Sequence, residues 1–104
     1  MNNQTESTIH LNSHKHRFEL KTDGKISIVE FMQPNDETLA LTHTEVDPSL
    51  EGQGVGSKLV LEVLEYAERN NLKIVPLCPF VAAYIKQHPA WQRIVSPVFM
   101  MGDF

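Results

Sequence analysis

Apolar and polar residues alternate from His16 to Lys21 (His-Arg-Phe-Glu-Leu-Lys), the period of a strand with one wet face. Lys25 to Met32 forms a second run rich in Ile, Val and Phe, and Asp23-Gly24 between the two is a hairpin signal. Pro34-Asn35-Asp36-Glu37 reads as the next turn and Thr38 to Val46 as a third strand. Strands joined by such tight turns predict an antiparallel meander, with room for a short extra strand before it at Ile9 to Leu11.

The period then changes. Val55, Leu59, Val60, Val63, Leu64 and Ala67 recur at the spacing of one helical face, with Lys58, Glu62, Glu65 and Glu68 opposite, which predicts a helix over 55–69. Asn70-Asn71 suits its left-handed C-terminal cap. Leu72 to Leu77 is a short apolar run, read as a buried strand, and the intervening helix implies a parallel crossover. Pro79 opens a short helix reaching Gln87, and His88-Pro89 ends it. Trp91, Ile94, Val95 and Val98 form a last apolar patch expected against the sheet edge. The class is α+β: an antiparallel meander, then helix, strand and short helix, in a mixed sheet.

Composition narrows the setting. A chain of 104 residues is one small domain, expected over 9–104 behind a polar, disordered tail at 1–8. The net charge is −4, and Lys and Arg are scattered rather than striped, which argues against nucleic acid as a partner. No apolar stretch approaches the roughly 18 residues of a membrane span. The start lacks a cationic region followed by an apolar run, and a single cysteine excludes an intrachain disulfide, so a cytoplasmic protein is expected.

The chemistry concentrates at Glu51-Gly52-Gln53-Gly54-Val55-Gly56-Ser57-Lys58, where glycines alternate between a strand and a helix start. Glycine lets the backbone turn tightly and lets an anion approach. The first N–H groups of a helix have no internal partner and point outward at the positive end of its dipole. The segment is therefore a phosphate cradle, or else only a turn. It is not the G-x-G-x-x-G of a dinucleotide fold, and it is one residue short of a P-loop with the final Lys-Ser pair reversed.

Taken together, His43-Thr44-Glu45-Val46, the Gly52-x-Gly54-Val55-Gly56 helix opening and Pro76-Leu77-Cys78-Pro79-Phe80 resemble the small single-domain GNAT-type N-acetyltransferases, over about residues 16–95. The resemblance implies a GNAT-like fold and acetyl-CoA as cosubstrate. Its pyrophosphate would rest on the backbone N–H groups of Gln53, Gly54, Val55, Gly56 and Ser57, with Lys58 helping at the edge. Glu51 occupies the place where the family carries Gln or Arg, a departure that puts a carboxylate beside a dianion. The pantetheine arm would meet the backbone of Glu45 and Val46, and Phe80 would pack beside it.

Acetyl transfer to an amine needs a base, stabilisation of an oxyanion and a departing thiolate. His43 and Glu45, two residues apart on one strand face, are the candidate bases; a strand bulge would change their facing, and each has an ordinary structural reading as well. Cys78 falls at the start of the Pro79 helix, a setting that favours the nucleophilic thiolate. It is read as a transient acetyl carrier or as a polar lining residue, against the alternative of a small buried hydrophobe. Tyr84 is the candidate acid for the thiolate, as the resemblance implies. Lys86 and His88 could reach the CoA 3′-phosphate. His14 and His16 lack a third ligand, so no metal site is expected. Acceptors are a small amine or a protein amine, and the chain is expected as a monomer or weak dimer. The competing readings are a CoA or acyl-CoA binding module with little catalysis, and a nucleotide-phosphate or interaction domain.

Overall fold

The computed structural model describes residues 9–98; the expected tail at 1–8 lies outside them, as does 99–104. Strand β1 (His10–Asn12) precedes the meander β2 (Arg17–Thr22), β3 (Lys25–Asn35) and β4 (Thr38–Glu45). Helix α1 (Val55–Arg69), strand β5 (Lys73–Pro76) and helix α2 (Pro79–Gln87) follow. The sheet runs β1-β2-β3-β4-β5, antiparallel except for the β4–β5 pair, the parallel crossover that the intervening helix requires.

The turn chemistry is as the residues demand. Asp23 (φ 51°) and Gly24 (φ 77°) both adopt positive φ, as a two-residue hairpin turn needs to match the strand twist. Asn71 (φ 58°) supplies the left-handed residue just past α1. Strand β3 runs three residues beyond the Met32 expected from the sequence. Its pairing with β2 ends at Glu30, so the ring of Pro34 removes no donor from a central ladder, and the β4 register shifts between Met32 and Asn35 to accommodate it.

One face of the sheet carries Phe18, Leu20, Val29, Phe31, Leu39, Leu41 and Ile74, which pack with the buried stripe of α1 and with Val81 and Ile85 of α2. Each fully buried Leu or Val there contributes about 2 kcal/mol by leaving water. Val95 bridges Ile74 and covers the far edge of β5, with the Ser96 N–H donating to the Ile74 carbonyl at 2.8 Å. The expected C-terminal patch is thus only partly formed: Ile94 and Val95 are buried and Trp91 is half-buried, but Val98 is 80% exposed.

Strand β4 is irregular where it matters. Phe31 pairs with Leu41 but Glu30 pairs with His43, so β4 carries one extra residue at Thr42. The bulge exchanges the faces of everything after it. Val29 and Phe31 share the core face, so their partners Thr44 and Leu41 do too, while His43 and Glu45 turn to the opposite, exposed face. By uninterrupted alternation His43 would have followed Leu39 and Leu41 into the core.

Candidate active site

The parallel pairing of β4 with β5 stops at Leu41–Pro76, and the last link is the Cys78 N–H donating to the Leu41 carbonyl at 2.9 Å. Beyond it the two chains part. Phe31 gives its N–H to the His16 carbonyl (3.0 Å), on the β2 side, so Ile28 and Glu30 turn their backbone groups toward β4. Their partners Glu45 and His43 answer them, and Thr44 between turns its N–H and C=O away from β3, toward the gap that β5 has left. The backbone offered there is that of Thr44; of the expected Glu45 and Val46, Glu45 turns to β3 instead and Val46 lines the cleft.

Above the gap lies a cleft of about 300 Å³ lined by Thr44, Val46, Glu51, Gly52, Gly56 and Phe80. Its rim is the glycine loop. Asp47 accepts from the Ser49 N–H (3.0 Å) and hydroxyl (2.7 Å), which nucleates a 3-10 turn over Pro48–Leu50 and holds its carboxyl below the usual range. Leu50 then plugs into the core. Gly52 (φ 84°) and Gly54 (φ 78°) take the left-handed turns that let the chain double back into α1, a conformation costing about 1–2 kcal/mol for a residue with a Cβ. Gln53 is not a free donor, because its N–H reaches the Leu50 carbonyl at 3.3 Å. The Lys58 N–H closes the first helical bond to Gly54 at 3.1 Å. Among the described residues the N–H groups of Gly52, Gly54, Val55, Gly56 and Ser57 have no acceptor, and those from Gly54 to Ser57 form the open positive end of α1.

Gly56 is the tightest point. A Cβ added there would come within 2.8 Å of the Phe80 ring and 3.4 Å of the Val46 side chain. Phe80 is itself 43% exposed, so the ring closes the cleft from α2 without being fixed in the core. Glu51 is exposed on the same rim and opposes an anion, and Lys58 does not offset it, being paired with Glu62 one turn along α1 at 3.3 Å.

The other candidates scatter. Cys78 caps α2 through its backbone position without a side-chain capping bond; its thiol is 3% exposed and donates to the Thr44 hydroxyl at 3.2 Å. It therefore sits under the cleft rather than in it. His43 and Glu45 are exposed on the other face of the sheet because of the bulge. Tyr84 stacks on His88 (ring centroids 4.2 Å apart) and lies near Glu65; burial, with that carboxylate adding to it, pushes its phenol up. It is not among the residues lining the cleft. Lys86 and His88 are exposed at the opposite end of α2 from Phe80, with His88 held by its own helix through Nδ1 and the Tyr84 carbonyl (2.9 Å). Among the described residues no group of three metal-ligating side chains gathers anywhere, His16 included.

Thr44 is the cleft-lining residue that the sequence reading did not single out. It lay inside the quoted motif, but uninterrupted alternation turns it away from the core, and only the bulge at Thr42 brings it to the cleft.

A family model described as GCN5-related N-acetyl-transferase matches residues 17–94. Among solved structures, the NMR solution structure of a GCN5-like protein from Staphylococcus aureus is 26% identical and superposes with a TM-score of 0.67, covering 89% of this chain and 91% of that one. No curated protein matches the chain.

Proposed function

The chain belongs to the GCN5-related N-acetyltransferase family, and from that premise we propose that it moves an acetyl group from acetyl-CoA to an amine, either a small molecule or a protein side chain. The observation that carries the donor is the set of N–H groups of Gly52, Gly54, Val55, Gly56 and Ser57, unpartnered among the described residues, around a narrow cleft. These groups hold the pyrophosphate by backbone alone, since Glu51 brings no positive charge and Lys58 is turned to Glu62. Phe80 and Val46 flank the pantetheine arm, and the backbone of Thr44 meets it in the gap between β4 and β5. His43, exposed on the other face of β4, takes the proton from the amine, with Glu45 beside it on the same strand face.

Cys78 is assigned a supporting place beneath the cleft and not that of acetyl carrier, because a residue 3% exposed whose thiol is bonded to Thr44 is poorly placed to receive an acetyl group. Calorimetric titration tests the donor: acetyl-CoA and CoA are expected to bind while ATP and NAD do not, and equal affinity for all would defeat the proposal. Mass spectrometry after incubation with acetyl-CoA tests the cysteine, with unmodified Cys78 expected.

A second reading, a CoA or acyl-CoA binding module, draws on one observation. None of the six cleft-lining residues is an imidazole or a phenol, and the nearest candidate base lies across the sheet. Thiol release on addition of a panel of amines separates the two: release supports the enzyme, and binding without release supports the module.

A further inference from the structure

We infer that the Thr44 hydroxyl is a catalytic hydrogen-bond donor to the thioester carbonyl oxygen, aimed by Cys78 from below; the inference rests on the acetyl-CoA reading of this cleft. A threonine hydroxyl has one proton to give and lone pairs to receive. Thr42 and Thr44 use theirs differently. Thr42 Oγ1 donates to the Glu30 carbonyl at 3.2 Å, so its proton is engaged within the sheet. Thr44 Oγ1 instead receives the Cys78 thiol proton at 3.2 Å, and among the described residues nothing accepts from it. With one lone pair engaged from the core side, its own proton is left to point into the cleft that Thr44 lines.

The arrangement depends on three features with no other shared purpose. The bulge at Thr42 turns Thr44 to the core face. The parting of β4 and β5 after Leu41 opens that position to a ligand. Burial of Cys78 to 3% exposure fixes the thiol beneath it and keeps competing water from the same lone pair. In the transfer, the amine nitrogen forms its bond to the carbonyl carbon while the C=O electron pair moves onto oxygen. Thr44 donates a hydrogen bond to that oxyanion, beside its own backbone N–H in the gap. The C–S bond then breaks, the thiolate leaves with the electron pair, and the nitrogen gives up its proton to the base. Thr44 neither loses nor gains a proton overall. Cys78 is a positioning residue, acting only through Thr44.

The test needs binding alone. Acetyl-CoA labelled with carbon-13 at the carbonyl is bound to saturation, and its C=O stretch is read by isotope-edited infrared difference spectroscopy. The wild-type protein is expected to shift the band to lower frequency than in water. Thr44→Val, which keeps the shape and loses the hydroxyl, should lose that shift, and Thr44→Ser should restore it. Cys78→Val should lose part of it, and Cys78→Ser should keep it. Where an amine turns over, Thr44→Val should lower kcat about 100-fold with little change in the KM for acetyl-CoA, the loss typical of one oxyanion donor. An unchanged band in Thr44→Val, with acetyl-CoA bound to both proteins, overturns the inference and leaves the acetyl-CoA reading standing. Failure of the wild-type protein to bind acetyl-CoA overturns both.

Discussion

The two halves of β4 follow different rules within one strand. From Thr38 to Leu41 the strand is hydrogen-bonded on both sides, to β3 and to β5, and its Leu39 and Leu41 are essentially fully buried. From Thr42 onward it keeps β3 but loses β5, carries hydroxyls, an imidazole and a carboxylate, and is exposed at alternate residues. The first half is a packing element; the second leaves backbone unpaired by β5 and polar side chains beside the cleft. One extra residue at Thr42 marks the boundary. The difference teaches that the protein builds its site by ending a parallel pair early, not by adding an element. The strand's buried half anchors what its open half presents.

The sharpest way to break this contrast is Leu41→Ala, in the anchored half. Leu41 is fully buried, and the truncation should cost about 3 kcal/mol from lost transfer energy and the cavity left behind. Chemical denaturation reads the loss, and protein that remains folded should keep its affinity for acetyl-CoA. If affinity falls in step with stability, the halves are not separable.

Gly56→Ala acts the other way. The methyl group meets a Phe80 ring that can swing aside, so stability should change by less than about 1 kcal/mol, while acetyl-CoA binding weakens about tenfold, or about 1.4 kcal/mol. Adding Phe80→Ala to the same chain should recover the space but not the contact with the arm, and calorimetry distinguishes the two.

Glu51→Gln removes the carboxylate on the rim. Acetyl-CoA should bind about fivefold tighter at low ionic strength, and the gain should shrink as salt screens the repulsion. An unaltered affinity at low salt would mean that the pyrophosphate does not sit at this loop.

Tyr84→Phe should have the smallest effect. Turnover should be nearly unchanged, since Tyr84 stacks on His88 and lies near Glu65 rather than in the cleft. Its phenol is pushed above the ordinary value by burial first and Glu65 second, so the neutral form is favoured by the fold. The sign follows: that contribution is complete below pH 10 and is lost as pH rises through the folded value. Alkaline denaturation of Tyr84→Phe should therefore be shallower than that of the parent. A large drop in kcat instead would return Tyr84 to the thiolate.

Much of this molecule is written locally. The alternation at Arg17 to Lys21, the Asp23-Gly24 turn, the α1 stripe from Val55 to Ala67, and Pro79 at a helix start each carry their own physical reason within a few residues. The glycine loop is legible for the same cause, since positive φ at Gly52 and Gly54 is a demand on residue type. One feature is not local. The bulge at Thr42 arises from matching β4 to β3, and no residue near it announces the inserted position. The pairing of Lys58 with Glu62, one turn along a single helix, and the Gln53 N–H bond to the Leu50 carbonyl, three residues back, are by contrast local contacts. So hydrophobic period and glycine placement determined the meander, the crossover helix and the glycine turn that opens it by themselves. Tertiary structure alone decided which face His43, Thr44 and Glu45 present, because facing depends on a register between strands, and a one-residue change in register reverses it.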